Sequence, residues 1–588
     1  MKTWRGPQAL AAGGVIAVMV AWRAVLLAGS FFNQDDFYLS GRAYRTELSL
    51  DFLFRDTAGH VNPLQQLTYW LVAHHAPYDW GVVATFVLVL QTLTTVVMWH
   101  VLSRILPGRW VRVPLLAAFA WAPITLATTL WWSAAMGLWP HLLCSLLAVL
   151  FLLRLRAGAG PAWLNGAVIV SASIAGLLWH ERAVLIAPVV LATAVVITDD
   201  AVGWRRIVSA LRRHWVLWLV HVALLGGYLW AHGRLTDVEG GDVSAGESLS
   251  IGRSFIGENV LPGVLGGPWT ARLEGGAVMP PTWATVLALL LGLALVAFAL
   301  RRGGPARRWA VAFFVAYVAA DLVLVLAGRG GFGRLIGLDP RYSADVIHVA
   351  VLSAALALRR SRPAFGIARL AGEWRRWRTV GITGLTAVYL VACIFGTVLL
   401  VPHFQNKDDR AFLTAIRKDL AQDPRQTLVD DLAPEDVVLP LVGDDSLLSR
   451  VLAPLPEDPV FDQPTYHLRS VASDGRLVEA RFAGGIDAVP PRKELCGYRA
   501  TDEPVAVRFP VDLAGSLLLR VGYFTDEEAT VDVSVGSWRT EFRAVPGPNE
   551  IWIPVPDPGS EYDEVLFSVR GPTTVCVPDV TAGRAERP

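Results

Sequence analysis

Eleven apolar runs dominate this chain, at about 10–30, 81–103, 113–132, 136–153, 163–179, 183–198, 214–232, 282–300, 309–327, 345–358 and 380–401. A run of about 18 or more such residues crosses the hydrocarbon core of a bilayer as a helix. Inside a bilayer only a helix or a closed barrel satisfies its own backbone. The sequence therefore predicts a polytopic α-helical membrane protein of about 11 spans. The runs at 183–198 and 345–358 are short, so a different tilt or a partly re-entrant path is expected there. The first run is too long for a signal-peptide core and more spans follow, so it should stay as an anchor. Of the 588 residues 53% are hydrophobic and 18% charged, against roughly 45–50% and about 25% in ordinary globular chains. A disordered chain, a nucleic-acid binder and a purely soluble enzyme are excluded.

Basic residues mark every second loop. Lys2 and Arg5 precede the first run, Arg104, Arg109 and Arg112 follow the second, and Arg154 and Arg156 follow the fourth. Arg205, Arg206, Arg212 and Arg213 follow the sixth, and Arg301, Arg302, Arg307 and Arg308 the eighth. Seven arginines from Arg359 to Arg378 follow the tenth. Cytoplasmic loops carry the Lys and Arg excess, which predicts an N-terminus inside and a C-terminal tail outside a plasma membrane. Only 4 of the 52 basic residues are Lys, a usage pointing to a GC-rich bacterial genome. The long loops 31–80 and 233–281, rich in Gly, Pro and aromatics, fall on the outer side, so the working surface is expected to face outward.

The net charge of +1 hides two compartments. Residues 1–400 carry +14 (33 Lys and Arg against 19 Asp and Glu) and residues 401–588 carry −13 (19 against 32). We read a transmembrane domain, 1–402, and an acidic extracytoplasmic domain, 403–588. The tail opens with an amphipathic helix, Asp409 to Leu420, stopped at Asp423-Pro424, and 427–480 suggests a small mixed α/β segment. Short alternating runs at 505–509, 517–521, 530–535, 551–555 and 565–569, punctuated by Pro, Gly and Asp, then predict an antiparallel sandwich. Cys144 and Cys393 lie in apolar runs and read as inert core. Cys496 and Cys576 can pair if the tail is outside the cell, and the sequence leaves that open.

Candidate chemistry gathers at the outer ends of the spans. Asp35-Asp36 stand just beyond the first span, where a carboxylate is costly unless solvated, paired or functional. One can take a proton from an acceptor hydroxyl while the other orients it or helps hold a cation; the structural alternative is a helix cap and first-turn acid. Gly59-His60-Val61-Asn62-Pro63-Leu64 lies in the same loop, His180-Glu181-Arg182 in the next outer turn, and Arg329-Gly330-Gly331-Phe332-Gly333-Arg334 with Asp339-Pro340-Arg341-Tyr342 further on. Arginine's planar fork suits a phosphate at headgroup depth, although His180-Glu181-Arg182 can also be a local ion-paired turn and Arg341 can simply snorkel. The Gly-rich loop is no Walker sequence, His74-His75 lack partners at metal spacing, and Trp131-Trp132, Trp139 and Trp179 read as an interfacial belt. Arg23, His221 and Asp321 are the main polar residues within spans.

The acidic pair after the first span resembles that of GT-C class membrane glycosyltransferases: protein O-mannosyltransferases, aminoarabinose transferases and bacterial cell-wall arabinofuranosyl- and mannosyltransferases. Asp35-Asp36 is similar to their first-loop acidic pair, and Gly59-His60-Val61-Asn62-Pro63-Leu64 to the His/Arg-x-x-Pro stretch that follows. His180-Glu181-Arg182-Ala183 resembles a Lys/His-Glu-x-Ala turn, and Arg341-Tyr342 an Arg-Tyr pair before a late span. Here His180 and Arg182 flank the Glu where a Lys is common, which puts the phosphate ligand in doubt. The resemblance covers about residues 10–400, and with the Lys-poor composition suggests an actinobacterial chain. It implies a polyprenyl-phosphate-linked sugar donor and a glycan, lipid-linked glycan or protein hydroxyl acceptor. It also implies Asp35, or else Asp36, as general base of an inverting transfer. Arg341 and Arg182, with Arg334 and His180 behind them, would hold the leaving phosphate, and His60, Glu181 and Tyr342 would line the substrate. A divalent ion, Mg or Mn, on Asp35 and Asp36 stays open. The alternatives are a flippase for a lipid-linked sugar and a non-catalytic envelope assembly protein with a glycan-binding sandwich.

Overall fold

The computed structural model describes residues 6–236, 243–301, 304–359, 371–423, 426–491, 496–557 and 559–586. Lys2, Arg5, Arg302 and most of the basic stretch after the tenth run lie outside these residues. The chain forms two compact units. One holds Met1–Phe32, Thr46–Val72 and Asp79–Asn406; the other holds Asn33–Arg45, Ala73–Tyr78 and Lys407–Pro588.

In the first unit the apolar runs become helices. Among the described residues nine are long and apolar enough to cross a membrane: Pro7–Ala28, Trp80–Ile105, Arg112–Leu130, Trp132–Arg156, Ala162–Trp179, Trp215–Leu235, Thr282–Arg301, Pro305–Phe332 and Val380–Gln422. The last is apolar only in its first part; a break near Gln405 separates Ala371–Phe404 from the amphipathic Lys407–Gln422. Two of the eleven expected spans fall short. Ile186–Ile197 and Val346–Leu358 have 12 and 13 residues and rise only about 18–20 Å. Each starts late because a capped 3-10 turn takes up the residues before it. His180 caps Glu181–Leu185 and Asp339 caps Pro340–Tyr342, each side chain accepting the backbone N–H two residues on.

Burial sorts the helices. Trp132–Arg156 is mostly buried and packs on Trp80–Ile105, Ala162–Trp179 and Ile186–Ile197. Thr282–Arg301 instead turns Leu290, Leu293, Leu295 and Phe298 outward, an apolar surface suited to lipid. The expected Trp belt is corrected at three of its four members: Trp131, Trp132 and Trp139 are buried, Trp132 lying on Tyr69 at 3.9 Å between ring centroids, whereas Trp179 is part-exposed at the end of its helix. They sit where the broken Arg112–Leu130 helix turns back into Trp132–Arg156, an inside corner rather than a rim. Among the described residues the tryptophans that are more than half exposed are Trp110, Trp163, Trp204, Trp215, Trp230 and Trp283, all near helix ends, as an interfacial belt requires.

Pro123 breaks the Arg112–Leu130 stretch, because it has no N–H and excludes Ala122 from helical backbone. Arg23, 2% exposed, fills that break, its Nη2 donating to the Ala122 carbonyl (3.3 Å) and Thr125 Oγ1 (3.1 Å). It is packed inside the bundle, against the negative end of a helix.

The second unit has a small sheet in the order Val460–Phe461, Thr427–Leu428, Leu468–Val471, Leu477–Glu479, with Thr427–Leu428 parallel to both neighbours and the last pair antiparallel. Two antiparallel sheets follow. One orders Gly547–Val555, Leu517–Thr525, Val575–Ala585 and Phe482–Asp487, with Tyr498–Ala500 also on Val575–Ala585; the other orders Trp538–Ala544, Ala529–Val535, Tyr562–Arg570 and Val505–Leu513. Their alternating residues, among them Leu519, Val521, Val531, Val533, Ile553 and Phe567, share one core, as in a sandwich. Four strands had no expectation. Phe482–Asp487 and Val575–Ala585 are interrupted by Gly484-Gly485 and Pro578, Tyr498–Ala500 is only three residues, and Trp538–Ala544 alternates weakly.

The segment after the first helix contributes to this unit too. Helix Asp35–Arg45 docks where Gly41 meets the Arg450 carbonyl; a Cβ there would lie 2.1 Å from that oxygen. Arg42 Nε and Arg45 Nη2 bind Asp445 at 3.0 and 2.9 Å, and Tyr78 donates to the Val451 carbonyl. Cys496 and Cys576 are joined in a disulfide across 80 residues, which answers the question the sequence left open. Cys144 and Cys393 are buried and free, as expected. Closing a loop of that length is worth about 4 kcal/mol in the chain-entropy model, of which about 2–4 is commonly realised. Replacing either Cys496 or Cys576 with Ser should therefore lower the unfolding free energy of the sandwich by about 2–4 kcal/mol, read from denaturant unfolding of the full chain with tail proteolysis as the probe.

Candidate functional site

The two capped turns meet in the first unit. His180-Glu181-Arg182 follows Ala162–Trp179, and Gly137 lets the imidazole lie against Trp132–Arg156: a Cβ at Gly137 would come 2.6 Å from His180 Cδ2. Each residue of the turn then reaches a different partner. Glu181 sits between two histidines, Oε1 2.9 Å from His60 Nδ1 and Oε2 3.5 Å from His180 Nδ1. Arg182 points the other way, Nη1 to Asp345 Oδ1 at 3.1 Å and Nη2 to the Tyr342 carbonyl at 2.8 Å, with Asp321 3.9 Å off. His60 and Tyr342, 282 positions apart in the sequence, are thus tied to adjacent residues of one turn.

The remaining candidates differ in exposure. Arg341 stacks on Trp131, Cζ 3.9 Å from the ring centroid, binds Asp339 at 2.6–2.7 Å, and is one quarter exposed. Gly276, on the turn between Arg272–Glu274 and Ala277–Met279, approaches that pair closely, since a Cβ there would be 2.6 Å from Asp339 Oδ2. Arg334 is half exposed and held by Glu258 at 2.6 Å. Asp35 and Asp36 belong to the second unit, where they open helix Asp35–Arg45. Asp36 is fully buried and accepts from the Asn33 N–H at 3.0 Å, and both acids lie in the first turn of the helix. Among the described residues no group of three or more His, Cys, Asp or Glu is arranged to hold a metal ion.

Two participants had escaped notice, and a third, Arg329, had been named only as the start of the Gly-rich loop. Arg329, last residue of the Pro305–Arg329 helix, donates to the Ala58 carbonyl at 2.7 Å and faces His60 Nε2. Asp345, the main partner of Arg182, stands three residues past Tyr342 and had no motif to flag it. Tyr317 hydrogen-bonds Asp345 and lies in a span of which the sequence had pointed only to Asp321. Beside the His180 turn, Ile174, Leu177 and Leu178 with Ala223, Leu224, Gly227 and Tyr228 line an apolar groove of about 350 Å³ between two helices.

Burial lowers His180 from 6.5 to about 4, with His60 and Arg182 adding to the effect and Glu181 opposing it. For Glu181 burial pushes upward, but His180 and His60 outweigh it and hold the carboxyl well below 4.5. The turn thus contains a neutral imidazole and a carboxylate near neutral pH. From pH 6.5 down to about 4 the unfolded chain takes up a proton at His180 that the folded chain refuses, so stability falls with acid there. Glu181 adds a loss of the same sign at still lower pH. His180→Gln should flatten the upper part of that acid loss, seen in unfolding midpoints measured against pH.

The chain is a polytopic α-helical membrane protein with an antiparallel β C-terminal region. No family model matches the sequence, nor does any curated protein. Among solved structures it is similar to ArnT from Cupriavidus metallidurans bound to undecaprenyl phosphate, at 14% identity and TM-score 0.41 over 78% of this chain and 92% of that one. It is also similar to the arabinofuranosyltransferase AftD from Mycobacteria, at 12% identity and TM-score 0.37 over 97% of this chain and 58% of that one. The chain thus spans less than two thirds of the length of the mycobacterial protein.

Proposed function

We propose that this protein transfers a sugar from a polyprenyl-phosphate donor to a hydroxyl acceptor (an envelope glycan, a lipid-linked glycan or a protein) on the outer face of a bacterial plasma membrane. The observation that carries the reading is the gathering of His60, Glu181, Arg182 and Tyr342 from three distant stretches around one turn. The apolar groove beside that turn offers surface to a prenyl chain. The disulfide fits an oxidising compartment for the tail.

In this reading Asp35 or Asp36 removes the proton from the acceptor hydroxyl as its oxygen attacks the anomeric carbon. The bond to the lipid phosphate breaks with inversion, and the phosphate leaves with the electron pair. Arg341 meets the developing charge, its guanidinium pre-oriented on Trp131 by Asp339. Arg334 and His180 lie further out in the same role, the latter as a neutral donor. Arg182 is committed to Asp345 and Tyr342 and works by holding the turn. The flippase alternative draws on the ionisable groups buried within the spans, Asp321 and His141 among them; a flippase would move the lipid and break no bond.

Asp35→Asn and Asp36→Asn, in full-length protein reconstituted in vesicles, should each be assayed for sugar release from a polyprenyl-phosphate donor, with and without Mg or Mn. The variant lacking the base should lose about 10²–10⁴ in rate, and full transfer by both folded variants would sink the catalytic reading. Arg341→Ala should lower turnover by about ten- to a hundredfold, the worth of a charge-assisted hydrogen bond, measured in the same assay.

A further inference from the structure

Behind Arg182 the first unit buries more charge than one arginine can balance. Asp321 and Asp345 are both 0% exposed, and Arg182 is the guanidinium that faces them. Two ionised carboxyls against one guanidinium would leave an uncompensated negative charge among apolar helices, at a cost of several kcal/mol. One further proton must therefore be bound.

Geometry says where. Asp345 is served by donors at both oxygens, Arg182 Nη1 at Oδ1 (3.1 Å) and the Tyr317 hydroxyl at Oδ2 (2.6 Å). Asp321 meets no hydrogen-bond donor at either oxygen, and its Oδ1 stands 3.9 Å from Arg182 Nη1, the same nitrogen that binds Asp345. Of two carboxyls that crowd one guanidinium nitrogen, the one without donors of its own is the one that keeps a proton. His141 is the other conceivable home, its Nε2 3.8 Å from Asp345 Oδ2. Both its ring nitrogens lack partners, so an imidazolium there would bury two unsatisfied N–H groups. His348 is already engaged, Nδ1 with the Asp345 carbonyl and Nε2 with Ser145 at 3.2 Å.

We propose that Asp321 is a neutral carboxylic acid donating to the Asp345 carboxylate, and that this acid pair is the positioning device for Arg182 and, through the Tyr342 carbonyl, for the turn bearing Arg341. The positioning half rests on the reading of Arg341 as a ligand of the donor phosphate. Neither aspartate touches substrate. The two have unequal roles: Asp345 supplies the charge that fixes Arg182, whereas Asp321 supplies one O–H, which an amide N–H replaces.

The test uses full-length protein in lipid vesicles, with infrared spectra recorded near neutral pH and polyprenyl phosphate as the binding probe. In the difference spectrum between wild type and Asp321→Asn one C=O stretch of a protonated carboxylic acid should be lost, and the variant should keep affinity within about threefold; Asp409, which burial pushes up to about 8, absorbs in both proteins and cancels. Asp345→Asn should weaken affinity about ten- to a hundredfold. In case that variant does not fold, Arg182→Lys keeps the charge beside Asp345 but loses the fork to Tyr342, and should weaken affinity by about tenfold without unfolding. Absence of that band from the difference spectrum, equal loss of affinity in both Asn variants, or unchanged affinity in Arg182→Lys would each overturn the proposal. A wild type that binds no polyprenyl phosphate but loses its band in Asp321→Asn rejects the donor reading and leaves the acid pair standing.

Discussion

A guanidinium set among apolar helices has to be neutralised where it stands, and much of the first unit's architecture follows from doing this for Arg182. Its charge is met by Asp345, at the head of a 13-residue helix, and its second nitrogen by a carbonyl of the preceding turn. Truncation of one partner of such a pair costs about 3–5 kcal/mol, so the pair fixes the relative places of the elements that supply it. The two helices too short to span alone are the two whose leading turns it joins. Shortness and charge are therefore one design. A helix starting late leaves room for a polar turn, and the turns are held by each other rather than by water.

Periodicity and length made the membrane part legible. Nine of eleven runs became helices of spanning length because apolar length is a direct consequence of bilayer thickness. The misjudged tryptophans show where that logic stops. Trp131, Trp132 and Trp139 have the composition of an interfacial belt, but Pro123 turns their neighbourhood inward, and no local pattern reports which way a corner faces. The sandwich was legible where strands alternate cleanly, as in Ala529–Val535, and illegible where Gly484, Gly485 or Pro578 interrupt the alternation.

For the candidate site the sequence named the turns but not what holds them. His60, Glu181, Arg182 and Tyr342 stood out as polar residues at span ends, and they do converge. Asp345 and Tyr317 were invisible because an acid or phenol in an apolar run says only that something must compensate it. The compensating partner is fixed by helix packing, which no window of sequence contains. The same holds for Trp131 under Arg341: the pair is 210 positions apart and exists only in the fold.

The docking of helix Asp35–Arg45 bears on how this chain comes to be folded. Arg42 and its partner Asp445 are separated by 403 residues, which at roughly 5–20 residues per second takes on the order of tens of seconds to synthesise. The helix that bears Asp35 and Asp36 is thus among the first segments to emerge and among the last to find its place. Until the C-terminal unit is complete, the surface that Gly41 was left bare to meet does not exist. Removing residues 407–588 would take away that surface, so the acidic pair depends for its place on the segment that carries Asp445, Arg450 and Val451.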